Sequence, residues 1–271
     1  MNFICVTCGT QFKESAAAPA GCPICEDERQ YVGLDGQRWT TLDELRRDYR
    51  NRFHEEEDGL TSFVTEPKFG IGQRAFLLQT PDGNLLWECL SLVDDRTVTK
   101  IRELGGVKAI AISHPHYYTT MVEWSRALGN APIYLHEADR EWVMRPGEAI
   151  QHWSGETKPL FGGLTLIRGG GHFEGGTMLH WPNGAGGKSA LLSGDIIQVV
   201  PDRRWVSFMY SYPNYIPLAP QAVERLVAAV EPFRFYRIYG AFAGMTVNSD
   251  GKAALRRSAY RYIRSSYNQC T

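Results

Sequence analysis

An apolar run that ends at a histidine constrains the fold most strongly. Residues 107–113 (VKAIAIS) have the length and composition of a buried strand, and His114 and His116 follow directly. Two later runs end similarly, LTLIRGGG at His172 and ALLSG at Asp195. Polar residues at the carboxyl ends of strands line the ligand crevice of open α/β sheets. Three imidazoles and a carboxylate are a suitable ligand set for Zn²⁺, so these four residues are candidate metal ligands.

Strand and helix patterns alternate twice along the main part of the chain. The β-type runs RAFLLQT and GNLLWECLSL precede the helix pattern DRTVTKIRELGG, and later β-type runs precede the amphipathic segment APQAVERLVAAVEPF. This order predicts an α/β fold with two mixed β-sheets covered by helices. We also expect helices at residues 40–53, 137–144 and 249–267, and a solvent-exposed break at residues 54–59 (HEEEDG).

Two Cys-x2-Cys pairs, Cys5 with Cys8 and Cys22 with Cys25, lie at the start of the chain. Each pair can place two thiolates on one metal ion from a tight turn, and two such turns complete a tetrahedral shell that suits Zn²⁺. Iron in a rubredoxin-like shell is the alternative that the ligand type leaves open. A closed four-cysteine shell predicts a structural role. We therefore expect a zinc ribbon at residues 1–36 and a main domain at residues 37–271.

The charge of the ribbon segment argues against nucleic acid as a partner. Residues 1–36 contain two basic side chains against five acidic ones, and the whole chain has a formal net charge of -1. Phosphate binding requires the opposite sign. We expect the ribbon to contribute to stability, or to contact a protein partner or a second copy of the chain.

The composition is typical of a soluble globular protein, with 43% hydrophobic and 22% charged residues in 271. We see no signal-peptide pattern and no apolar stretch of the roughly 18 to 20 residues that span a bilayer. The sequence therefore predicts a cytoplasmic protein without membrane contact. Cys89, in the apolar run LLWECLSLV, is expected in the core, and Cys270 on the C-terminal tail.

The order of the candidate ligands resembles the metallo-β-lactamase fold superfamily. That family carries His-x-His-x-Asp-His after a strand, a single His later, Gly-Asp after another strand, and a last His near its end. The resemblance covers roughly residues 60 to 260. It implies an αββα four-layer sandwich of two mixed β-sheets flanked by helices, with the metal site at the edge between the sheets. His114 and His116 match the first two positions, His172 the single His, and Asp195 the metal-bridging Asp.

The chain departs from the family pattern at the second metal position. Tyr118 and Thr119 stand where the family has Asp and His, and IYGAFAG lacks the last His. The resemblance therefore implies one metal ion, Zn or Fe, held by the three histidines with Asp195, or a site that has lost its metal. We interpret Tyr118 as an aromatic wall of the site, with a role as proton donor or weak ligand as the alternative.

The predicted function is a metal-dependent hydrolase, in which the ion activates water for attack on an ester, thioester or lactone of small size. Two alternatives remain open: a non-catalytic ligand-binding protein whose ribbon is a docking element, and a mononuclear iron enzyme. Arg203 and Arg204, in an aromatic loop after Asp195, could meet an anionic substrate group or form a solvated turn of a packed hairpin. We expect His136 to be a packed structural residue, and we expect His54, His152 and His180 to lie at the surface.

Overall fold

The computed structural model describes residues 1–267. The chain forms two compact units, Met1–Trp153 and Ser154–Thr271. The boundary expected between residues 36 and 37 stays a prediction, and the expectation for Cys270 lies outside the described residues. No helix within residues 1–267 is long and apolar enough to cross a membrane.

The first unit is built on a seven-stranded mixed sheet. The strands of the unit are β1 (Ile4–Cys5), β2 (Trp39–Thr40), β3 (Arg50–Glu57), β4 (Leu60–Glu66), β5 (Ala75–Leu78), β6 (Leu85–Trp87), β7 (Ala109–Ala111), β8 (Ile133–His136) and β9 (Ile150–Trp153). Strands β3 to β9 follow one another in the large sheet, antiparallel from β3 to β6 and parallel from β6 to β9. The short strands β1 and β2 pair separately and antiparallel.

The helices of the first unit are short and have recognisable starts. They are α1 (Pro23–Glu26), α2 (Leu42–Asp48), α3 (Asp95–Glu103) and α4 (Met121–Ala127), with 3-10 turns at Pro115–Tyr117 and Glu137–Trp142. Thr41 begins α2 with a capping box that includes Glu44, and the Asp94 side chain accepts a hydrogen bond from Thr97 N at the start of α3. These caps satisfy backbone N–H groups that have no partner within the helix.

Three expectations for this unit are wrong. The helix expected over residues 40–53 ends at Asp48, and the expected break at residues 54–59 lies largely in β3. Antiparallel pairing with β4, which places Phe53 opposite Phe63, outweighs the weak local preference of a charged segment. The segment expected as a helix at residues 137–144 forms only 3-10 turns, with a kink at Asp139.

The second unit contains a six-stranded mixed sheet and two two-stranded ribbons. Its strands are β10 (Thr157–Pro159), β11 (Thr165–Arg168), β12 (Thr177–Trp181), β13 (Ala190–Gly194), β14 (Gln198–Val199), β15 (Val206–Ser207), β16 (Met209–Ser211), β17 (Ile216–Pro217), β18 (Arg237–Gly240) and β19 (Thr246–Val247). The sheet order is β10-β11-β12-β13-β18-β19, and the β13–β18 pair is parallel. Strand β14 pairs with β15, and β16 pairs with β17.

Helices pack on the apolar core of the second unit. They are α5 (Gly184–Gly187), α6 (Pro220–Val230) and α7 (Gly251–Tyr267). Leu226 on α6 and Leu255 on α7 join Leu191 and Ile238 of the sheet in one buried cluster. The expected C-terminal helix is thus confirmed, and so is the prediction of an α/β fold with two mixed sheets and helices.

Candidate metal centres

The four cysteines near the N-terminus form one buried cluster. Cys5 lies on β1, Cys8 in the turn after it, and Cys22 and Cys25 at the start of α1. Their sulfur atoms all lie within 4.8 Å of one another, with 3.6 Å between Cys5 and Cys25 and 3.7 Å between Cys8 and Cys22. A Zn–S distance of about 2.3 Å in a tetrahedron corresponds to about 3.8 Å between sulfur atoms. The donor set and its spacing therefore fit one tetrahedral metal ion.

The first cysteine turn is fixed by its backbone. Gly9 N donates to Cys5 O at 2.8 Å, and Cys5 N donates to Thr10 O at 2.9 Å. Gly9 has φ +81°, and a Cβ atom there would lie 2.3 Å from Ser91 Oγ, so the turn requires glycine. Gln37 Nε2 donates to Cys5 Sγ at 3.2 Å. Such an outer hydrogen bond orients a metal ligand.

The thiols of the cluster differ in pKa. Hydrogen bonding with Cys22 lowers the pKa of the Cys5 thiol and raises the pKa of the Cys8 thiol. The cluster therefore favours a thiolate at Cys5, which is the form that binds a metal ion. By contrast, burial and the adjacent Glu88 raise the pKa of Cys89, which lies fully in the core as expected.

The second group is made of three buried histidines. The ligand nitrogens of His114, His116 and His172 all lie within 4.8 Å of one another. Three imidazoles at this spacing form a donor set that fits Zn²⁺ or Fe²⁺ and leaves coordination positions open. The role of these histidines as metal ligands stays a prediction, and the identity of the ion is not determined by the ligands.

His114 and His116 are presented by a tight loop after β7. Every residue of β7 is buried, and Pro115 occupies the first position of the 3-10 turn between the two histidines. The His114 ring lies edge-on to the Tyr117 ring at 4.4 Å between centroids. Ser113 Oγ lies 2.8 Å from His114 Nδ1, so the hydroxyl and the adjacent phenol together fix the orientation of the imidazole.

Glu88 is a functional candidate that sequence reasoning missed. It follows β6, is 1% exposed and has φ +66°. Its backbone N–H donates to Ala111 O at 3.0 Å, and its carboxylate accepts from Ser113 N at 3.1 Å. Glu88 therefore holds the residue that contacts His114. The signal in the sequence is a carboxylate inside an otherwise apolar run, where an acidic residue requires a partner.

His172 follows a glycine-rich turn in the second unit. Gly170 and Gly171 both have positive φ, which only glycine adopts readily. His172 Nδ1 lies 2.7 Å from the backbone oxygen of Tyr210. Because a carbonyl oxygen can only accept, Nδ1 carries the hydrogen and Nε2 presents its lone pair.

Asp195 is placed at the carboxyl end of β13, as the sequence predicts. The residue is 5% exposed, and its backbone oxygen accepts a hydrogen bond from the Tyr212 hydroxyl at 2.7 Å. Burial raises the pKa of Tyr212, and the nearby Asp195 adds to this shift. The role of Asp195 as a fourth ligand stays a prediction.

Tyr118 and Thr119 occupy the two positions at which the family pattern has Asp and His. Both are buried. Burial raises the pKa of Tyr118, and the charges of Asp139 and Glu88 add to the shift, so the phenol keeps its proton at neutral pH. Asp139, buried in the 3-10 segment after β8, is a second carboxylate that the sequence analysis did not single out.

Other polar residues considered from sequence have local structural roles. Arg204 lies exposed on the turn between β14 and β15 and forms an ion pair with Asp202 at 2.8 Å, which favours the reading as a solvated turn of a packed hairpin. His136 is buried, and its ring lies 4.5 Å from the Trp153 ring between centroids, which is the packing expected for it. His54 is exposed on β3, as expected, whereas His152 on β9 and His180 on β12 are half-buried.

Comparisons with known proteins agree with these observations. No family model matches the sequence. The chain is 52% identical over 265 residues to the uncharacterized protein YmaE of Bacillus subtilis (strain 168), which covers 97% of this chain and 96% of that protein.

Solved structures that resemble the protein are metallo-β-lactamases. DIM-1 has a TM-score of 0.60 at 14% identity, covering 80% of this chain and 98% of that one. FIM-1 from Pseudomonas aeruginosa, in its mono-zinc form, has a TM-score of 0.59 at 14% identity and covers 80% and 96%. An enzyme from Pontibacter korlensis has a TM-score of 0.58 at 13% identity and covers 81% and 100%. At these identities the likeness establishes the fold. The chain therefore belongs to the family of YmaE and has the fold of the metallo-β-lactamases, with a four-cysteine cluster near its N-terminus.

Proposed function

We propose that the protein is a metal-dependent hydrolase with one metal ion at the three-histidine group. The observation that carries this proposal is the set of three buried imidazole nitrogens within 4.8 Å of one another in a chain with this fold. Imidazole nitrogens at this spacing can all bind one metal ion, and three such donors are a ligand set that suits Zn²⁺.

The contacts around the imidazoles prepare them as ligands. Tyr210 O fixes the tautomer of His172 at 2.7 Å, and Ser113 Oγ contacts His114 Nδ1 at 2.8 Å while Glu88 holds the backbone of Ser113. A divalent ion bound there would lower the pKa of water toward about 7 and would polarise a carbonyl oxygen. Ester, thioester and lactone carbonyls are the substrate class that suits a single Lewis acid.

Asp195 and Tyr118 have separate roles in this proposal. The Asp195 carboxylate completes the ligand set or accepts a hydrogen bond from water at the site. Tyr118 stays protonated because burial raises its pKa, so its hydroxyl can give a proton to the leaving group.

The single-ion proposal rests on the residues at the second metal position. A neutral phenol at Tyr118 and a hydroxyl at Thr119 are poor ligands for a second zinc ion compared with the Asp and His of the family pattern. The neighbouring structure FIM-1 is described in a mono-zinc form, which supports occupancy of this fold by one ion. We propose zinc in both centres, with Fe²⁺ at the histidines as the alternative.

Hydrolysis of a panel of aryl esters and thioesters tests the proposal. We expect zinc-loaded protein to hydrolyse at least one substrate of the panel. We expect His116→Ala to lower kcat/KM by more than about 100-fold, because removing a metal ligand should reduce activity more than removing a residue that only contacts a ligand. His54→Ala, which removes an exposed histidine on β3, is the matched control and keeps full activity. Background rates in all three proteins across the panel would contradict the hydrolase and favour the ligand-binding alternative.

A further inference from the structure

The segment after the first cysteine pair touches the loop that carries two of the histidines. Gln11 N donates a hydrogen bond to Thr119 O at 3.0 Å, and both residues are buried. Thr119 lies three residues after His116 and has φ +38°, in the left-handed region that a β-branched residue rarely adopts. Such a conformation persists only where its surroundings hold it. The contact with Gln11 is one of those restraints.

The side chain of Gln11 makes a second connection to the same region. Its Oε1 accepts a hydrogen bond from Arg145 Nη1, and Arg145 also forms an ion pair with Glu123 at 2.5 Å. Glu123 lies on α4, the helix that directly follows the histidine loop. Arg145 is buried, so this ion pair is little screened by solvent. The guanidinium therefore joins the cysteine segment to the helix.

A third contact joins the cysteine turn to the same loop through residues 90 and 91. Gly9 O accepts from Ser91 Oγ at 2.9 Å. Thr120 Oγ1 in turn donates to Leu90 O at 2.9 Å. Residues 90 and 91 thus bridge the cysteine turn and the residue next to Thr119.

The position of Gln11 depends on the cysteine turn. Cys5 N donates to Thr10 O, and Gly9 N donates to Cys5 O, so the residues between the first two ligands form a closed turn that ends immediately before Gln11. A metal ion bound to Cys5 and Cys8 closes the same turn through the side chains. Without the ion, the turn loses this restraint and Gln11 with it.

We infer that the four-cysteine centre positions the histidine loop, and that Gln11 and Arg145 are the positioning residues that connect the two. The inference rests on metal binding at the three histidines, which is part of the proposed function, and assigns the cysteine centre a task beyond local stability. Filling the cysteine centre holds Thr119 and α4 in place, and thereby fixes His114 and His116 at the spacing that one ion requires.

Cobalt titration of the full chain tests this inference. Zinc is kept in the cysteine centre, a mild chelator empties the histidine group, and the affinity of that group for Co²⁺ is measured in competition with a chromophoric chelator. Visible cobalt bands without thiolate charge transfer identify binding to imidazoles. Arg145→Ala and Gln11→Ala are compared with Arg29→Ala, which removes a ribbon arginine that pairs with Asp27 and lies over Trp142.

We expect Arg145→Ala to weaken cobalt binding by about 10-fold or more, which is the effect typical of losing a residue that supports metal ligands. Gln11→Ala should also weaken cobalt binding. Arg145→Lys should recover part of the affinity because one charged donor remains. Arg29→Ala should bind cobalt as the wild type does. If Arg145→Ala unfolds, Gln11→Ala, which retains the Arg145–Glu123 pair, decides the question.

Two negative results are distinguishable. Wild-type protein that binds no cobalt outside the cysteine centre would overturn the proposed function and this inference together. Wild-type protein that binds it, with equal affinity in Gln11→Ala and Arg145→Ala, would overturn the inference and leave the proposed function intact.

Discussion

The cysteine cluster and the histidine group differ in how completely they surround an ion. Four thiols within the first 25 residues make a closed tetrahedron, whereas three imidazoles, one of them far along the chain, leave positions open. Closed shells are typical of structural sites and open shells of catalytic ones. On this basis we propose a stabilising role for the first centre and a catalytic role for the second, even though both are buried.

Breaking the closed shell should have the largest effect on stability. We expect Cys25→Ser to lose the ribbon metal and to lower the free energy of unfolding by several kcal/mol, because binding energy at a structural metal site is folding energy. Cys89→Ala, at a buried cysteine outside the cluster, should keep the metal and cost about 1 kcal/mol. Urea unfolding with metal analysis of each variant provides the measurement. Equal destabilisation by both substitutions would remove the structural role.

A chelator should remove the metal ions from the two centres one after the other. The histidine group has fewer protein ligands and an open position, so we expect a mild chelator to remove its ion first and to leave near-ultraviolet circular dichroism nearly unchanged. Removal of the ribbon ion should follow more slowly and should change that spectrum. Loss of both ions in a single step, with one spectral change, would mean that the two centres do not differ in how tightly they hold their ions.

Residues that only position the histidines should affect metal affinity less than the histidines themselves. Glu88→Gln weakens the acceptor of the Ser113 N–H, so we expect about a 10-fold loss of metal affinity at the histidines and no change at the ribbon. Glu174→Gln is the control, because that carboxylate is exposed and pairs with Arg168. Metal competition assays on both variants measure the effect, and equal affinities would show that the contact of Glu88 with Ser113 has no influence on the site.

The smallest effect is expected far from both centres, at the turn between β14 and β15. Hydrogen bonding from Arg204 holds the pKa of the exposed Asp202 at about 2. We expect Arg204→Ala to return that pKa upward to the ordinary range of aspartate, near about 4, and to leave kcat/KM for an anionic ester unchanged. Carboxyl titration by NMR and steady-state kinetics test both parts, and a raised KM for the anionic ester alone would restore Arg204 as a substrate contact.

Local patterns carried most of what the sequence could predict. The cysteine pairs, and His114 with His116, are set by spacing over a few residues, so their grouping follows from a single turn. His172 was found because it also follows an apolar run. The histidine group could therefore be predicted, together with the α/β fold class.

Long-range pairing explains what the sequence did not predict. The charged segment at residues 54–59 joins β3 through its partner strand, which no local preference signals. Asp139 became visible only in three dimensions, because its burial next to Tyr118 depends on packing of distant segments. The apolar run around Glu88 signals a buried carboxylate, but its partner Ser113 N is 25 residues away in the sequence. The contact of Gln11 with Thr119 likewise depends on how the ribbon packs, not on either local sequence.

Metal content per chain tests the central claim most directly. Mass spectrometry under native conditions, with elemental analysis of the same sample, should find two ions per wild-type chain and one in His116→Ala. Cys25→Ser should keep at most the ion at the histidines. Three ions in the wild type would contradict the single-ion histidine centre, and one ion that disappears in Cys25→Ser but persists in His116→Ala would show that the histidine group holds none.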